Sequence, residues 1–526
     1  MEIMNTPEFK YSIKITKEHR KQFAQFFTPE RIADLMADWL LGNDKLNTVL
    51  EPAMGLGVFT RSLIKKQNCA KIVAYEIDDV ILDVAKGLFE KNEKIEFRHQ
   101  DYMYSSWNDK YDGIICNPPY FKFQDYDNLG TTAEVKKHLK VDFSGFTNLY
   151  AYFLIKSVSQ LNKGGRCAYI IPSEFMNSDY GVQVKEYLLQ SKLLRHVIVF
   201  NFEEQLFDDA ITTSAILLCA NDDNTDSVSF TNISNVSELD RIEELISKYP
   251  EIPSFCKSYP TKIMESSVKW KTYYQSLNQS SFTHLVPFST FAKVSRGIAT
   301  GANDFFKFNL SKAKQYGIPR EALKPCICHC VDIRDSFFSQ ADFEDLAQKD
   351  KYVYIFDGEN CNHESVLKYI TKGEFDGCHE KYLTKSRTPW FALEKRIPSP
   401  IWVSVFSRQK LNFILNTSDA TCLTTFHCIY PKENVFTSIS IELFFAYLIS
   451  NTARLIFLDN GREYGNGLNK FEPNDLNKGM MLDLRVLNDE ARQAIIREFC
   501  AYREGSVDAI TNIDNILYEQ FVRTTE

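Results

Sequence analysis

The stretch YDGIICNPPYFKF, residues 111–123, holds side chains whose types and spacing could do chemistry. Its apolar part is typical of a buried strand, which stops at Asn117-Pro118-Pro119-Tyr120. Two prolines remove two backbone donors and fix two φ angles, so sheet pairing cannot continue there. We therefore expect an amide, two rigid carbonyls and an aromatic ring at the tip of a strand.

These groups suit a planar exocyclic amine whose lone pair must be turned toward a methyl donor. The Asn117 side-chain oxygen and the Pro118 carbonyl can accept the two amine hydrogens, while Tyr120 can stack on the planar base that carries the amine. Such a site works by positioning and electrostatic preorganisation. It needs no strong general base, because the amine becomes far more acidic as the N–C bond forms. A proline turn that merely ends a strand is the structural alternative.

The first strand-like run, TVLEP, ends at Glu51 and continues into a glycine loop, EPAMGLGVFT. Ala53, Gly55 and Gly57 in this loop allow the backbone to approach a ligand closely. The spacing differs from the phosphate-binding Gly-x-Gly-x-x-Gly pattern, and Glu51 would repel a pyrophosphate. The loop therefore favours a cationic ligand, although glycine turns after a first strand also occur for structural reasons alone.

Two further strand-like runs end in acidic residues. Glu76 in YEID is placed to accept hydrogen bonds from ribose hydroxyls. Asp101, followed by Tyr102, could accept from an adenine amino group. With Glu51, these tips describe a pocket for a nucleoside that carries positive charge, and S-adenosylmethionine fits that description better than a dinucleotide. Each carboxylate taken singly also suits a solvated strand end or a helix N-cap.

A sheet must hold these residues together. Residues 48–221 alternate between helix-like and strand-like segments, and seven strands are predicted: TVLEP, KIVAYEID, IEFRHQD, YDGIICN, RCAYIIP, RHVIVFN and TSAILLCA. This alternation predicts an α/β fold with a Rossmann-like, mostly parallel, seven-stranded sheet. Such sheets bind ligands at the carboxyl ends of their strands.

The chain has 526 residues, which predicts more than one domain. The regular alternation ends after CANDDNTDS, and a segment rich in aromatic residues, serine and threonine follows. We predict a catalytic domain over residues 1–225, a connecting region over 226–280 and a mixed α+β domain over 281–526.

Composition excludes several classes of protein. The chain is 44% hydrophobic and 25% charged with a net charge of −8, as in soluble globular proteins rather than proteins with a wholly basic surface. The first residues lack a signal-peptide core, and the apolar stretches are too short to span a bilayer. We expect a cytoplasmic protein without a membrane partner.

In residues 381–396, basic side chains surround Trp390 and Phe391. This pattern suits a phosphate-lined partner, or equally a solvated charged face.

The thirteen cysteines are spread through apolar runs, which is typical of reduced, buried thiols. One cluster, CICHC at 326–330, could be joined by Cys361, His363, Cys378 and His379. Its spacing is not the usual Cys-x-x-Cys of zinc sites, and its alternation also suits a plain strand. No metal site is therefore predicted.

Seven motifs follow the order of a known family: RKQFAQFFTPERIADLMADWL, VLEPAMGLGVF, AYEID, HQDYM, NPPY, NLYAYFLIKSVSQLNKGGRCAYIIPSEF and QLFDDAITTSAILLC. Over residues 20–220 the chain resembles the gamma-class, TaqI-like DNA N6-adenine methyltransferases of type II restriction–modification systems. The resemblance implies a seven-stranded methyltransferase sheet that binds S-adenosylmethionine. It also implies methyl transfer to N6 of an adenine flipped out of double-stranded DNA.

The resemblance also implies roles for individual residues. Those expected around the cofactor, with the two loop glycines included, are Thr28, Glu51, Ala53, Gly55, Gly57, Glu76, Ile77, Asp101, Tyr102 and Phe153. Asn117, Pro118, Pro119 and Tyr120 form the catalytic turn. Tyr120 and Phe207 would pack against the two sides of the target base. For the polar segment at 121–146, two interpretations stay open: ordering when DNA closes over it, and a disordered insertion.

Three later segments resemble parts of target-recognition domains: VSRGIATGANDFF, LKPCICHCVDIR and EYGNGLNKFEPNDL. The candidate DNA contacts, expected at phosphates rather than bases, are Arg296, Arg334, Arg387, Arg396 and Lys470. Since the chain begins almost at the first motif, a cognate restriction endonuclease is expected as a separate, functional partner. A monomer is expected, because such an enzyme can modify each strand in turn.

Other functions share the catalytic tetrapeptide. N4-cytosine DNA methylation ranks second, since cytosine presents a similar amine, but serine more often replaces Asn117 in that group. Methyltransferases acting on protein amides or ribosomal RNA usually lack the amino-terminal motif and a large second domain. A non-catalytic DNA-binding subunit is disfavoured by the intact Glu51, Glu76 and Asp101.

Overall fold

A computed structural model of the chain describes most of its residues, namely 6–43, 45–66, 70–200, 214–275, 277–359, 361–407, 411–464 and 468–522. Of residues 462–464 and 468 only the backbone is described. The chain divides into two compact units. The first comprises Met1–Ser276 with Arg462–Gly467, and the second Leu277–Gly461 with Leu468–Glu526.

The first unit is built on one large sheet. Its strands are β1 Thr48–Glu51, β2 Lys71–Glu76, β3 Ile95–His99, β4 Tyr111–Cys116, β5 Leu161–Pro172, β6 Leu194–Phe200, β7 Ser214–Ala220, β8 Ser227–Ile233 and β9 Lys257–Pro260. Their spatial order is β3-β2-β1-β4-β5-β7-β6-β8-β9. The pairings from β3 to β5 are parallel, whereas β7 runs antiparallel between β5 and β6. The predicted α/β fold and all seven predicted strands are therefore confirmed.

Two strands beyond the seven extend the same sheet. β8 pairs in parallel with β6, and β9 pairs antiparallel with β8. Both come from residues 226–280, which the sequence assigns to a connecting region. Strand β8, SVSFTNI, alternates polar and apolar residues rather than forming the continuous apolar run that marks the central strands.

Helices cover both faces of the large sheet. In the first unit they are Pro7–Ser12, Lys17–Gln22, Glu30–Leu41, Val58–Lys65, Asp79–Leu88, Asn128–Leu139, Leu149–Ser159, Gly181–Ser191, Asp240–Lys248 and Lys271–Tyr274; a short strand, Arg462–Tyr464, also belongs here. Successive residues of β4 point to opposite layers, with Ile114 and Cys116 in one core and Ile115 in the other. Each aliphatic or aromatic side chain that is fully buried contributes roughly 1.5–3 kcal/mol to the stability of the folded state. Segment 121–146 is partly helical in this structure, since it contains the helix Asn128–Leu139.

The carboxyl ends of β1, β2, β3 and β4 meet at one edge because these strands are parallel neighbours. The register aligns Glu51 with Ala74 and Glu76 with His99. Leu50 lies beside Ile114, so the chain leaves β4 for the proline turn close to the tip of β1. Topology alone therefore gathers the predicted acidic tips and the tetrapeptide.

The second unit is mixed. Its strands form small sheets: Leu285–Pro287 with Met480–Leu482; Ala292–Arg296, Phe426–Pro431, Ile401–Ser404, Phe413–Asn416 and Phe337–Phe338; Lys307–Phe308, Tyr354–Phe356, Leu323–Ile327 and Thr421–Cys422; and Phe406–Ser407 with Leu468–Lys470. Its helices are Asn303–Phe306, Leu310–Tyr316, Gln340–Gln348, Glu364–Phe375, Ile441–Ile449, Asn451–Leu458, Pro473–Asn477, Asp489–Arg503 and Ala509–Phe521. Two apolar clusters, one around Phe444 and one around Phe356, form its core.

Within the described residues, no single helix is long and apolar enough to cross a membrane. The pair Ile441–Ile449 and Asn451–Leu458 passes the length and composition criteria together, with a bend of 67° between the helices. Most of its apolar side chains are buried in the second unit.

Candidate active site

The glycine loop after β1 turns sharply at two residues with positive φ. Gly55 has φ +53° and Gly57 has φ +70°, a left-handed conformation that side chains rarely adopt. A Cβ on Gly57 would lie 2.7 Å from both Met54 Cε and a Phe89 ring atom. Gly57 also precedes helix Val58–Lys65, whose first turn therefore starts directly beneath the loop.

The Glu76 carboxylate at the tip of β2 is held by backbone amides. Gly55 N donates to its Oε2 at 2.8 Å, while Ile77 N and Asp78 N donate to its Oε1 at 2.8 and 3.0 Å. Burial raises the pKa of Glu76, and the three amide donors oppose that shift. The amides fix the carboxylate where β2 meets the glycine loop, and its remaining lone pairs can accept from a ligand.

Glu51, at the tip of β1, is fully buried. Thr60 Oγ1 donates to its Oε2 at 2.5 Å, but its Oε1 has no hydrogen-bond partner among the described residues. Burial raises the pKa of this carboxyl to about 8. A buried acceptor without a partner costs roughly 1–3 kcal/mol, so the site favours a donor or a cation next to Glu51.

Asp101, at the tip of β3, accepts from Met103 N at 2.8 Å, and burial raises its pKa. The turn that follows is clamped by a fully buried lysine, Lys156. Its amine donates to the carbonyl of Ser105 at 3.1 Å and to the carbonyl of Tyr102. Burial lowers the pKa of Lys156 to about 7. The Tyr102 hydroxyl bonds Ser157 and Gln160 in the core. Lys156 thus holds the backbone turn of residues 102–105, and the Met103 amide of that turn positions the Asp101 carboxylate.

The Asn117 amide follows β4 directly. Its Nδ2 donates to the Phe26 carbonyl at 2.8 Å and to Thr28 Oγ1 at 3.0 Å. Its Oδ1 is buried and has no hydrogen-bond partner in the described part of the chain. The amide therefore presents an acceptor that the described residues leave unused.

Tyr120 closes the tetrapeptide. Its ring stacks on Phe26, with centroids 5.5 Å apart and planes 19° apart, and its hydroxyl donates to the Ile170 carbonyl at 3.3 Å. Phe207, predicted for the other side of the base, lies outside the described residues. Sequence reasoning missed Phe26, although it stands two residues before Thr28 in the amino-terminal motif.

These elements surround one cleft of about 1050 Å³, part of which is open to solvent. Eight of the predicted cofactor residues line it: Thr28, Ala53, Gly55, Glu76, Ile77, Asp101, Tyr102 and Phe153. Asn117 and Pro119 also line the cleft. Glu51, Gly57, Pro118 and Tyr120 are not among its lining residues.

The amino-terminal segment contributes lining residues that the prediction did not include: Glu8, Phe23, Ala24, Gln25, Phe26 and Phe27. Gln25 Nε2 donates to Asp78 Oδ2 at 2.6 Å, and His19 bonds the same oxygen at 2.8 Å. Glu8 forms an ion pair with Arg61, which lies just beyond the glycine loop. The segment is thereby fastened beside the tips of β1 and β2.

The candidate DNA contacts of the second unit have different environments. Arg334 is exposed, with no ion pair in the described residues, whereas Arg296 pairs with Glu394 at 3.1 Å and remains about half exposed. Arg387 donates to the carbonyls of Thr300 and Ala299.

The other two candidates also have partners in this unit. Arg396 donates from Nε and Nη2 to one oxygen, Glu394 Oε2, at 3.2 and 2.8 Å. Lys470 pairs with Glu472 at 2.6 Å. Both cations are partly buried, so each also has a structural role.

The cysteines of the predicted cysteine–histidine cluster differ in exposure. Cys326 and Cys328 are buried, while Cys330 is exposed. Across the described residues, no group of three or more histidine, cysteine or acidic side chains could hold a metal ion.

Comparison with known proteins assigns the two regions of the chain. Residues 45–207 match the family described as Eco57I restriction-modification methylase. Residues 269–517 match the family described as type II methyltransferase M.Eco57I, C-terminal domain.

Individual relatives agree with these matches. The chain is 51% identical over 525 residues to the type II methyltransferase M.AccI of Acinetobacter calcoaceticus, which covers 99% of this chain and 97% of that protein. It is 26% identical over 471 residues to M.HindII of Haemophilus influenzae, covering 84% of this chain and 86% of that protein.

A solved structure shows the same fold. It is a nuclease-deletion mutant of the type ISP restriction-modification enzyme LlaGI in complex with a DNA substrate mimic. It has a TM-score of 0.50 at 13% identity and covers 95% of this chain and 57% of that chain. With M.AccI matched over almost its whole length, the chain belongs to the type II methyltransferases of restriction–modification systems.

Proposed function

We propose that this chain transfers a methyl group from S-adenosylmethionine to N6 of an adenine flipped out of double-stranded DNA. The observation that carries the proposal is the Asn117 amide at the tip of β4, whose buried Oδ1 is unpartnered among the described residues. It lies in a cleft that Glu76 and Asp101 also line. An unused acceptor beside two carboxylates suits an amine substrate and a cationic nucleoside.

The residues present fit this cofactor. Glu76 and Asp101 are fixed acceptors for ribose hydroxyls and an adenine amino group, and the exposed side chain of Ile77 offers an apolar surface to the adenine. The unpaired Glu51 Oε1 suits the ammonium group of the methionine part. When bound, S-adenosylmethionine supplies a methyl group on a positively charged sulfur.

The catalytic turn holds the target amine. Asn117 Oδ1 and the Pro118 carbonyl accept its two hydrogens, which turns the nitrogen lone pair toward the methyl group. Tyr120 stacks on the base, and Phe207 covers its other side. As the N–C bond forms, the bond between the methyl carbon and the sulfur breaks and leaves a neutral thioether, while the nitrogen gains positive charge and becomes acidic. It then loses a proton to solvent. Holding both hydrogens in advance contributes by positioning and electrostatics.

The second unit serves as the target-recognition domain, and the methylation protects DNA from a cognate restriction endonuclease. Of the five candidate cations, the exposed Arg334 and the half-exposed Arg296 are the proposed phosphate contacts. Arg387, Arg396 and Lys470 are proposed to stabilise their own unit through the partners described above. Acting on cellular DNA places the protein in the cytoplasm, and sequential methylation of the two strands is compatible with a monomer.

The first test incubates the protein with S-adenosylmethionine labelled in the methyl group and unmethylated genomic DNA, then digests the DNA to nucleosides. We expect the label in N6-methyldeoxyadenosine. Label only in N4-methyldeoxycytidine would overturn the choice of base. Absence of label from DNA, with the cofactor bound, would overturn the choice of substrate.

Base flipping is tested with a fluorescent base analogue at the target position. We expect the Tyr120→Ala and Phe207→Ala variants to change the fluorescence of the bound duplex relative to the unmodified protein. Unchanged fluorescence in both variants would contradict the proposal that the base lies between Tyr120 and Phe207.

A further inference from the structure

The amide of Asn117 is held from one side only. Its Nδ2 donates to the Phe26 carbonyl at 2.8 Å and to Thr28 Oγ1 at 3.0 Å, and both acceptors belong to one short segment of the amino-terminal region. Its Oδ1 is buried without a partner among the described residues. The segment therefore takes up the donor end of the amide and leaves its acceptor end for a substrate.

This orientation is the one that the neighbours permit. A backbone carbonyl can only accept hydrogen bonds, so an amide turned over would place Oδ1 against the Phe26 oxygen. Two acceptors would then face each other at hydrogen-bond distance, and the NH₂ group would occupy the place of the unused acceptor. The turned amide would offer the target amine two donors instead of an acceptor.

The same segment makes several contacts with residues beside the cleft. The Phe26 ring stacks on Tyr120, 5.5 Å away. Gln25 bonds Asp78 at 2.6 Å, and Phe27 packs against a small core that includes Leu56 of the glycine loop. Thr28 itself is 4% exposed. A small displacement of residues 26–28 would therefore change their contacts with Asn117 and Tyr120 of the tetrapeptide.

We propose that Thr28 is a positioning residue that acts through Asn117. Its hydroxyl, together with the Phe26 carbonyl that sets the orientation, holds the amide NH₂ group so that Oδ1 faces the target amine. This inference rests on the proposed function and assigns Thr28 to the acceptor side of the reaction. The family resemblance, by contrast, implies that Thr28 contacts the cofactor.

Two substitutions separate these roles. Thr28→Val keeps the shape of the side chain but removes the hydroxyl, whereas Thr28→Ser keeps the hydroxyl. We measure the Kd of S-adenosylmethionine by calorimetry and the rate of methyl transfer in a single turnover at saturating cofactor. Thr371→Val, at an exposed threonine of the second unit, is the matched control.

For Thr28→Val we expect a rate lower by about tenfold and a Kd within about twofold of the unmodified protein, as for loss of one polar contact. Thr28→Ser should recover most of the rate, because its hydroxyl can accept from Asn117 Nδ2. A raised Kd with an unchanged saturated rate would instead show that Thr28 contacts the cofactor and would overturn the inference.

A double-mutant cycle then tests the route of the effect. In the Asn117→Ala background, Thr28→Val should change the rate by less than about twofold, because the hydroxyl has no amide left to orient. An effect of full size in that background would overturn the inference. Failure of the proposed function is distinguishable, since it would appear in the unmodified protein as absence of N6-methyldeoxyadenosine.

Discussion

At the carboxyl-end edge of the large sheet, two buried oxygens, Glu51 Oε1 and Asn117 Oδ1, lack a hydrogen-bond partner among the described residues. In the second unit, by contrast, the guanidinium groups of Arg387 and Arg396 donate hydrogen bonds to oxygens of the same unit. The contrast distinguishes two ways of holding polar groups. A buried acceptor without a donor is costly and, at the edge of a cleft, favours a ligand. A half-buried cation that already bonds carbonyl or carboxylate oxygens favours a structural role.

Removing the unpaired acceptor should have the largest effect. For Asn117→Ala we expect methyl transfer to fall by roughly 10²–10³-fold, the usual loss for one preorganised polar group. The affinity for S-adenosylmethionine should hardly change. Single-turnover transfer and calorimetry measure the two quantities.

The matched control for this variant is Asn108→Ala, at an exposed asparagine after β3. It should keep the full rate. Near-normal transfer by Asn117→Ala would mean that the unpaired oxygen does not bind the target amine, and the contrast between the two regions would lose its main support.

The glycine loop sharpens the comparison through backbone conformation. Gly57→Ala places a Cβ 2.7 Å from Met54 and Phe89 at φ +70°. We expect the free energy of unfolding to fall by about 1–3 kcal/mol, with weaker cofactor binding. Denaturant titration measures this loss.

Gly87→Ala provides the control, because Gly87 is in helix Asp79–Leu88. Apart from its own helix backbone, no described residue has a heavy atom within 4 Å of the position that the new Cβ would take. That variant should be more stable by up to about 1 kcal/mol. Equal changes in both variants would show that the loop does not require its left-handed backbone.

Much of this edge could be predicted from the sequence, because the relevant signals are local. β1, β2 and β4 are largely apolar runs, whereas β3 alternates apolar and charged residues. Each is followed by an acidic residue, a glycine turn or two prolines, and a parallel sheet brings such tips together. Strand β8 was missed because its serine and threonine residues suit a loop as well. The partners of Asn117 could not be predicted, since Phe26 is 91 residues away in the chain.

The second unit could be predicted only as a mixed domain. Several of its strands, such as Lys307–Phe308 and Thr421–Cys422, have two residues and leave no periodic pattern. Whether an arginine faces solvent or a carbonyl depends on neighbours far along the chain: Arg387 bonds residues almost ninety positions earlier. Charge and aromatic content identified residues 381–396 as a basic segment but did not reveal this use.

Glu51 tests the unpaired acceptor by its pH dependence. Burial raises its pKa to about 8, above the usual 4.5, so the folded protein binds a proton that the unfolded chain releases between these values. The contribution to stability is therefore present at low pH and is lost as the pH rises toward about 8, with a slope of up to roughly 1.4 kcal/mol per pH unit. Glu51→Gln should flatten this dependence.

The same carboxyl predicts a proton release. If an ammonium group binds next to ionised Glu51, binding of S-adenosylmethionine below pH 8 should release a proton, as calorimetry in buffers of different ionisation enthalpy can show. The Glu51→Gln variant should release fewer protons and bind more weakly. Equal proton release by both proteins would remove Glu51 from the cofactor site.

The smallest expected effects concern the cations of the second unit. Arg334→Ala removes an exposed charge, so DNA affinity should fall modestly for every sequence. The slope of log K against log salt concentration should decrease in magnitude by about 0.9. Arg387→Ala should leave that slope unchanged and lower the free energy of unfolding by about 1–3 kcal/mol, because the carbonyls of Thr300 and Ala299 lose their donors. A smaller salt slope in a fully stable Arg387→Ala variant would show that this half-buried cation contacts phosphate, and burial would then no longer separate structural from DNA-binding arginines in this domain.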